Sequence, residues 1–76
     1  IDPSIDRRGN GKPPITRRQR QILQFFADGL STEEAAARLE LSSETIRTHA
    51  KAALPRLGAN DRPHAVAIAL RAGLID

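Results

Sequence analysis

Three observations predict an all-α fold, a four-helix bundle of short helices. Residues that favour helix N-caps (Thr16, Ser31, Ser42 and Asp61) stand ahead of four segments in which Ile, Leu and Ala recur at three- and four-residue intervals. The 76 residues hold two Phe and no Cys, Trp, Tyr or Met, so any core is built mainly from Ala, Leu and Ile, small enough for close helix approach. The missing cysteines exclude a disulfide framework, a thiolate metal site and a cysteine nucleophile.

Residues 1–14, IDPSIDRRGNGKPP, mix Pro, Gly, Asn and charge without apolar periodicity, and are expected to form a linker or tail. The stretch Gly9 to Lys12 does not make a phosphate loop, because it lacks the spaced first Gly, the following Ser or Thr and a preceding strand. The folded domain is expected over 15–76. Thr16 with Gln19 reads as a capping box that opens a first helix over 17–28, closed by Gly29. Ser31 with Glu34 opens a second over 32–39, whose face of Ala35, Ala36 and Leu39 permits close packing. Ser42 caps a third over 43–54. Its end is set by Pro55, which has no N–H and clashes with the carbonyl of Lys51. Asp61 caps a fourth over 62–72, with Pro63 in its first turn and an inward stripe of Ala65, Ile68, Ala69 and Ala72; Leu74 and Ile75 fold back as a plug.

Only about three residues separate the second helix from the third. Helices joined so tightly cross steeply, which predicts a helix-turn-helix, the unit whose second helix enters the major groove of DNA. The charge distribution agrees. Arg7 to Ala27 carries six basic residues and no acid, Asp28 to Glu44 carries five acids against Arg38 alone, and Thr45 to Asn60 is basic again through Arg47, Lys51 and Arg56. Two basic segments flanking an acidic one suit a polyanion-binding surface. On the third helix Arg47 and Lys51 are four apart and share a face with Thr48, while Ile46, Ala50, Ala53 and Leu57 take the other side. Arg binds guanine O6 and N7 bidentately, Lys does so less directionally, and a Thr methyl meets a thymine methyl. Thr45, His49 and the amides near Ser42 are placed to donate to phosphate oxygens, which position the protein without specifying sequence.

With those residues in register the sequence resembles the LuxR/GerE-type DNA-binding domain, the C-terminal output module of many bacterial response regulators and quorum-sensing regulators. The resemblance runs from about Ile15 to Ile75 without a gap. It is carried by Ile15-Thr16, Gly29, Ser31, Glu34, Ala36, Leu39, Ser42, Thr45-Ile46-Arg47, His49, Leu57-Gly58, Arg62, Ala65, Ala69 and Gly73-Leu74. It implies sequence-specific binding of double-stranded DNA by a transcription regulator, with Arg47, Thr48 and Lys51 at base edges and Ser42, Thr45, His49, Arg56 and Arg62 at phosphates. It also implies a homodimer through the fourth helix on a pseudo-palindromic site, where Val66 and Leu70, off the inward stripe, are the expected contact. RNA polymerase is a further candidate partner. Four residues depart from the family pattern: Gln19 for Glu in the first capping box, Ala35 for a larger aliphatic, Glu40 for the turn Gly, and Pro55 near the end of the recognition helix.

No enzyme is expected, since Thr16, Ser31 and Ser42 are caps with no base and orienting group arranged beside them. No cofactor or metal is expected either: His49 and His64 are fifteen apart with no Cys, and His64 reads as a cap-region residue. The longest apolar run, Ala65 to Leu70, is far short of the roughly 18 residues of a membrane span. A cytoplasmic chain is therefore expected, and the start at Ile1 with no Met predicts a piece of a longer one. Two other readings compete. One is the promoter-reading domain of a sigma factor, disfavoured by the Leu57-Gly58 to Gly73-Leu74 ending; the other is a helical protein-interaction module binding a basic partner through Glu33, Glu34 and Glu40.

Overall fold

The computed structural model describes residues 14–76. Arg7, Arg8, Lys12 and all but the last residue of the expected linker lie outside the described residues. Four helices follow in order: α1 (Arg17–Ala27), α2 (Thr32–Leu39), α3 (Ser43–Leu57) and α4 (Arg62–Arg71). Their starts are chemical. Thr16 Oγ1 accepts from the Gln19 N–H at 3.0 Å while Gln19 Oε1 accepts from the Thr16 N–H at 2.9 Å. Ser31 and Glu34 repeat the exchange at 3.1 and 2.8 Å. Gln19 is only 6% exposed, so a neutral amide completes the box there without burying the charge that a Glu would bring. At α4, Asp61 Oδ1 accepts from the His64 N–H at 2.9 Å and His64 Nδ1 accepts from the Asn60 N–H at 3.1 Å, which makes His64 a cap partner.

The helix ends are equally local. Beyond each helix stands a residue with positive φ, Gly29, Glu40, Gly58 and Gly73 in turn. The amide of the residue after it closes on the last turn, as in Leu30 N–H to Phe25 O and Leu41 N–H to Ala36 O, both 2.9 Å.

Three of the expected helix ends move: α1 closes at Ala27, one residue early, with Asp28 as its C-cap. α3 runs through Pro55 to Leu57, three residues past the expected stop. Pro55 sits in an exposed last turn, where the Lys51 carbonyl it leaves unpaired can turn to water. Leu54 and Leu57 pack against the core and hold the chain helical, and the Gly58 and Ala59 amides close on the Pro55 and Leu54 carbonyls at 3.3 and 2.9 Å. At the other end of the chain α4 closes at Arg71, and Ala72, expected on the inward stripe, is its exposed C-cap.

The helices enclose two apolar clusters. Ile22 of α1, Ala35 and Ala36 of α2, and Ile46 and Ala50 of α3 form one beneath the helix-turn-helix. Ile15, Leu23, Ala53, Ala65, Ala69 and Ile75 form the other, under α4, with Ile15 entering it from ahead of α1 and Ile75 buried as the plug that closes it. Phe26 packs against both. α3 contributes to each, so it is gripped along its whole inner side.

Candidate nucleic-acid interface

What α3 presents outward follows from what it buries. Ile46, Ala50 and Ala53 face the core, which at 3.6 residues per turn turns Glu44, Arg47, Thr48, Lys51 and Ala52 to solvent. All five are exposed. Arg47 and Lys51 stand one turn apart, about 6 Å along the axis. On the α4 side they share with Ala50, Leu54 and Arg62 a shallow recess of about 220 Å³. Thr48 stands beside them. Its hydroxyl donates to the Glu44 carbonyl at 3.0 Å, which uses its one hydrogen, so the side chain offers a methyl group and oxygen lone pairs to a partner.

The expected phosphate contacts divide by environment. Ser42 Oγ accepts from the Thr45 N–H at 3.1 Å, and the two hydroxyls lie 2.8 Å apart. One hydroxyl hydrogen is used between them; the other is left to donate to an anion at the start of α3, where the helix dipole favours it. His49 is half-buried one turn on. Arg56 is exposed, with Nη1 donating to the Pro14 carbonyl at 3.2 Å, so it also ties the entry of the domain to the end of α3.

Arg62 is the most engaged of the set. Its Nη1 donates to Thr32 Oγ1 at 3.3 Å, and its guanidinium carbon lies 4.4 Å from the centroid of the Phe26 ring. One side chain of α4 thus touches α1 and α2 and borders the Arg47–Lys51 recess on α3. Its remaining N–H donors are what it can give a phosphate. Neither contact is readable from spacing, because Phe26 and Thr32 lie thirty or more residues upstream.

Of the expected dimer residues, Leu70 is 44% exposed, while Val66, one turn before it, is half-buried against the core. The three acids of the alternative protein-binding face are all exposed, and one oxygen of Glu34 is taken by its own cap. Glu44 and Ala52 are the residues of the outward strip whose spacing announces no role, and of the two only Glu44 is charged. The available signal is its position: the acid lies second in α3, not third, where a capping box would use it.

Among the described residues no group of three or more His, Cys, Asp or Glu could hold a metal ion, and no helix is long and apolar enough to cross a membrane.

Comparison with known proteins gives the family and the fold. The model of the bacterial regulatory proteins of the luxR family matches residues 13–69. The spore germination protein GerE of Bacillus subtilis is 34% identical over 65 residues, covering 86% of this chain and 88% of that protein. The uncharacterized transcriptional regulatory protein YxjL of the same organism is 39% identical over 62 residues, and the probable transcriptional regulatory protein NarL of Mycobacterium tuberculosis is 38% identical over 64. Those matches span 82% and 84% of this chain but only 28% and 30% of the relatives' own length. A solved structure of the transcription factor GerE superposes with a TM-score of 0.81 at 29% identity, covering 86% of this chain and 97% of that one.

Proposed function

Because the chain belongs to the luxR family of bacterial regulatory proteins, a family of regulators and not of enzymes, we propose that it is a transcription regulator's sequence-specific reader of double-stranded DNA. The observation that carries this reading is the split of α3. Its inner side is locked into two core clusters, and its outer side exposes Arg47, Thr48 and Lys51 on a rigid element that can lie in the major groove. Arg47 takes a guanine through O6 and N7, Lys51 a second acceptor one turn on, and the Thr48 methyl a thymine methyl. The free hydroxyl hydrogen of the Ser42–Thr45 pair, His49, Arg56 and the outer donors of Arg62 meet phosphates and fix the register. Residues 15–76 are the reading unit, and 1–14 its linker.

Two copies bind one pseudo-palindromic site, pairing through α4, where Leu70 supplies the exposed apolar contact. A patch this small makes a weak dimer in solution, and the two half-sites supply the rest of the pairing energy.

The test is selection from a random duplex pool at moderate salt. The expected outcome is enrichment of a pseudo-palindrome whose half-sites lie roughly 10 base pairs apart, with log K falling against log salt at about −0.9 per phosphate contacted. Absence of retention even at low salt would sink the reading and leave a protein-binding module.

A further inference from the structure

The two capping arrangements in the helix-turn-helix differ, and the difference frees a carboxylate. In α2 acids stand second and third: Glu33 is exposed, and Glu34 accepts from the Ser31 N–H at 2.8 Å. In α3 the third position is Thr45, whose hydroxyl meets Ser42 Oγ instead, and the acid stands one residue earlier, at Glu44. That single step along the helix carries it from the cap to the exposed strip it shares with Arg47 and Thr48, three and four residues on. Glu44 therefore stands in the first turn of the helix proposed to read DNA, the part of a recognition helix that lies against base edges.

A carboxylate there faces a polyanion and weakens binding to any duplex unless a base supplies an N–H donor to it. Only cytosine N4 and adenine N6 carry donors in the major groove. Adenine places the N7 acceptor beside its donor, where it opposes the second carboxylate oxygen. Cytosine has no such acceptor on its own edge, and its partner guanine offers O6 and N7, the acceptors an Arg takes bidentately. Glu44 and Arg47 are neighbours on one helix face with complementary demands, one for a donor and one for a pair of acceptors.

We infer that Glu44 is a specificity-determining residue, accepting the N4–H of a cytosine at or beside the base pair whose guanine Arg47 takes. This rests on the DNA-reading function proposed above and adds a base to its half-site. The mechanism is discrimination more than attraction: guanine or thymine at that position leaves the carboxylate desolvated among acceptors, and adenine sets its N7 against the second carboxylate oxygen.

The experiment is the same pool selection with the wild-type chain, Glu44→Gln and Glu44→Ala, each confirmed helical beforehand by circular dichroism. The wild type is expected to fix a cytosine at one position of each half-site. Glu44→Gln is expected to exchange that cytosine for adenine, because an amide pairs bidentately with N6 and N7. Glu44→Ala is expected to lose the preference there, roughly tenfold discrimination falling to none, while keeping the Arg47 guanine and binding random duplex more tightly for want of the negative charge. One motif shared by all three proteins, or a wild-type motif without the cytosine, overturns the assignment of Glu44 and leaves DNA reading intact. No enriched motif from the wild type overturns both.

Discussion

The two core clusters share α1 and α3, add α2 or α4 in turn, and support different work. Consecutive residues of α1 part company, Ile22 entering the cluster under the helix-turn-helix and Leu23 the one under α4. Along α3 the change comes between Ala50 and Ala53. The first cluster holds the face proposed to read DNA; the second anchors Ile15, Ile75 and the helix proposed to pair two copies. Where they meet, Phe26 packs against both, and Arg62 crosses from α4 to stack on Phe26 and bond Thr32 of α2. The reading half is thus a short two-helix unit that cannot bury its own apolar side, completed by α1 beneath it. The supporting half adds the last helix and a terminal plug.

The largest expected effect comes from emptying each cluster in turn. Ile46 and Leu23 are both fully buried, and truncating either to Ala is expected to cost about 2–5 kcal/mol, lowering the thermal midpoint by at least ~8 °C. The two variants should separate in binding. At a temperature where both remain folded, Ile46→Ala leaves a cavity directly beneath the exposed strip and should weaken binding to the selected site, whereas Leu23→Ala should bind nearly as the wild type. Duplex titrations at equal folded fraction check this. Equal binding losses would show that the halves act as one rigid body.

A smaller contrast lies along the outer side of α3. Arg47→Ala is expected to lose about 1–3 kcal/mol on the selected site and to relax one base position. Arg56→Ala, three residues past Ala53 in the supporting half, is expected to weaken every duplex alike and to reduce the salt slope by about 1. It also releases the Pro14 carbonyl, so amide exchange around Ile15 should quicken in this variant and not in Arg47→Ala. Equal losses on all sequences for both variants would count against the division into base reading and positioning.

These contrasts show what the sequence could and could not reveal. Thr16, Ser31, Ser42 and Asp61 are legible because a cap is a contact over three residues, and the starts of all four helices fall where they place them. The end of α3 is not, because a local penalty at Pro55 loses to the packing of Leu54 and Leu57 against the second core cluster. Ala72 fails for a related reason: the inward spacing runs one residue past the end of α4, onto the C-cap that stands just before Gly73 turns the chain away. Of the candidate interface, the exposed strip is readable from the spacing of Arg47, Thr48 and Lys51. The bond of Arg62 to Thr32 spans thirty residues, and no local pattern announces it.

The smallest expected effects come from one backbone conformation that the two halves fill with opposite residues. The turn of the helix-turn-helix places Glu40 at φ 57°, ψ 43°, and the turn after α4 places Gly73 at φ 74°. A Cβ in the left-handed region costs roughly 1–2 kcal/mol, while replacing Gly by a residue with a side chain recovers about 0.4–1 kcal/mol of unfolded-chain entropy. The first outweighs the second, so Glu40→Gly is expected to stabilise by about 0.5–1 kcal/mol and Gly73→Ala to destabilise by a similar amount. An added Cβ at Gly73 would meet nothing within 4 Å, so its cost is conformational and not steric. Glu40→Gln separates strain from charge, since it keeps the Cβ and removes the carboxylate. Thermal melts should place Glu40→Gly a few degrees above the wild type, Glu40→Gln beside it and Gly73→Ala below. A rise in Glu40→Gln matching that of Glu40→Gly would mean that charge, not the left-handed backbone, is what Glu40 costs the reading half.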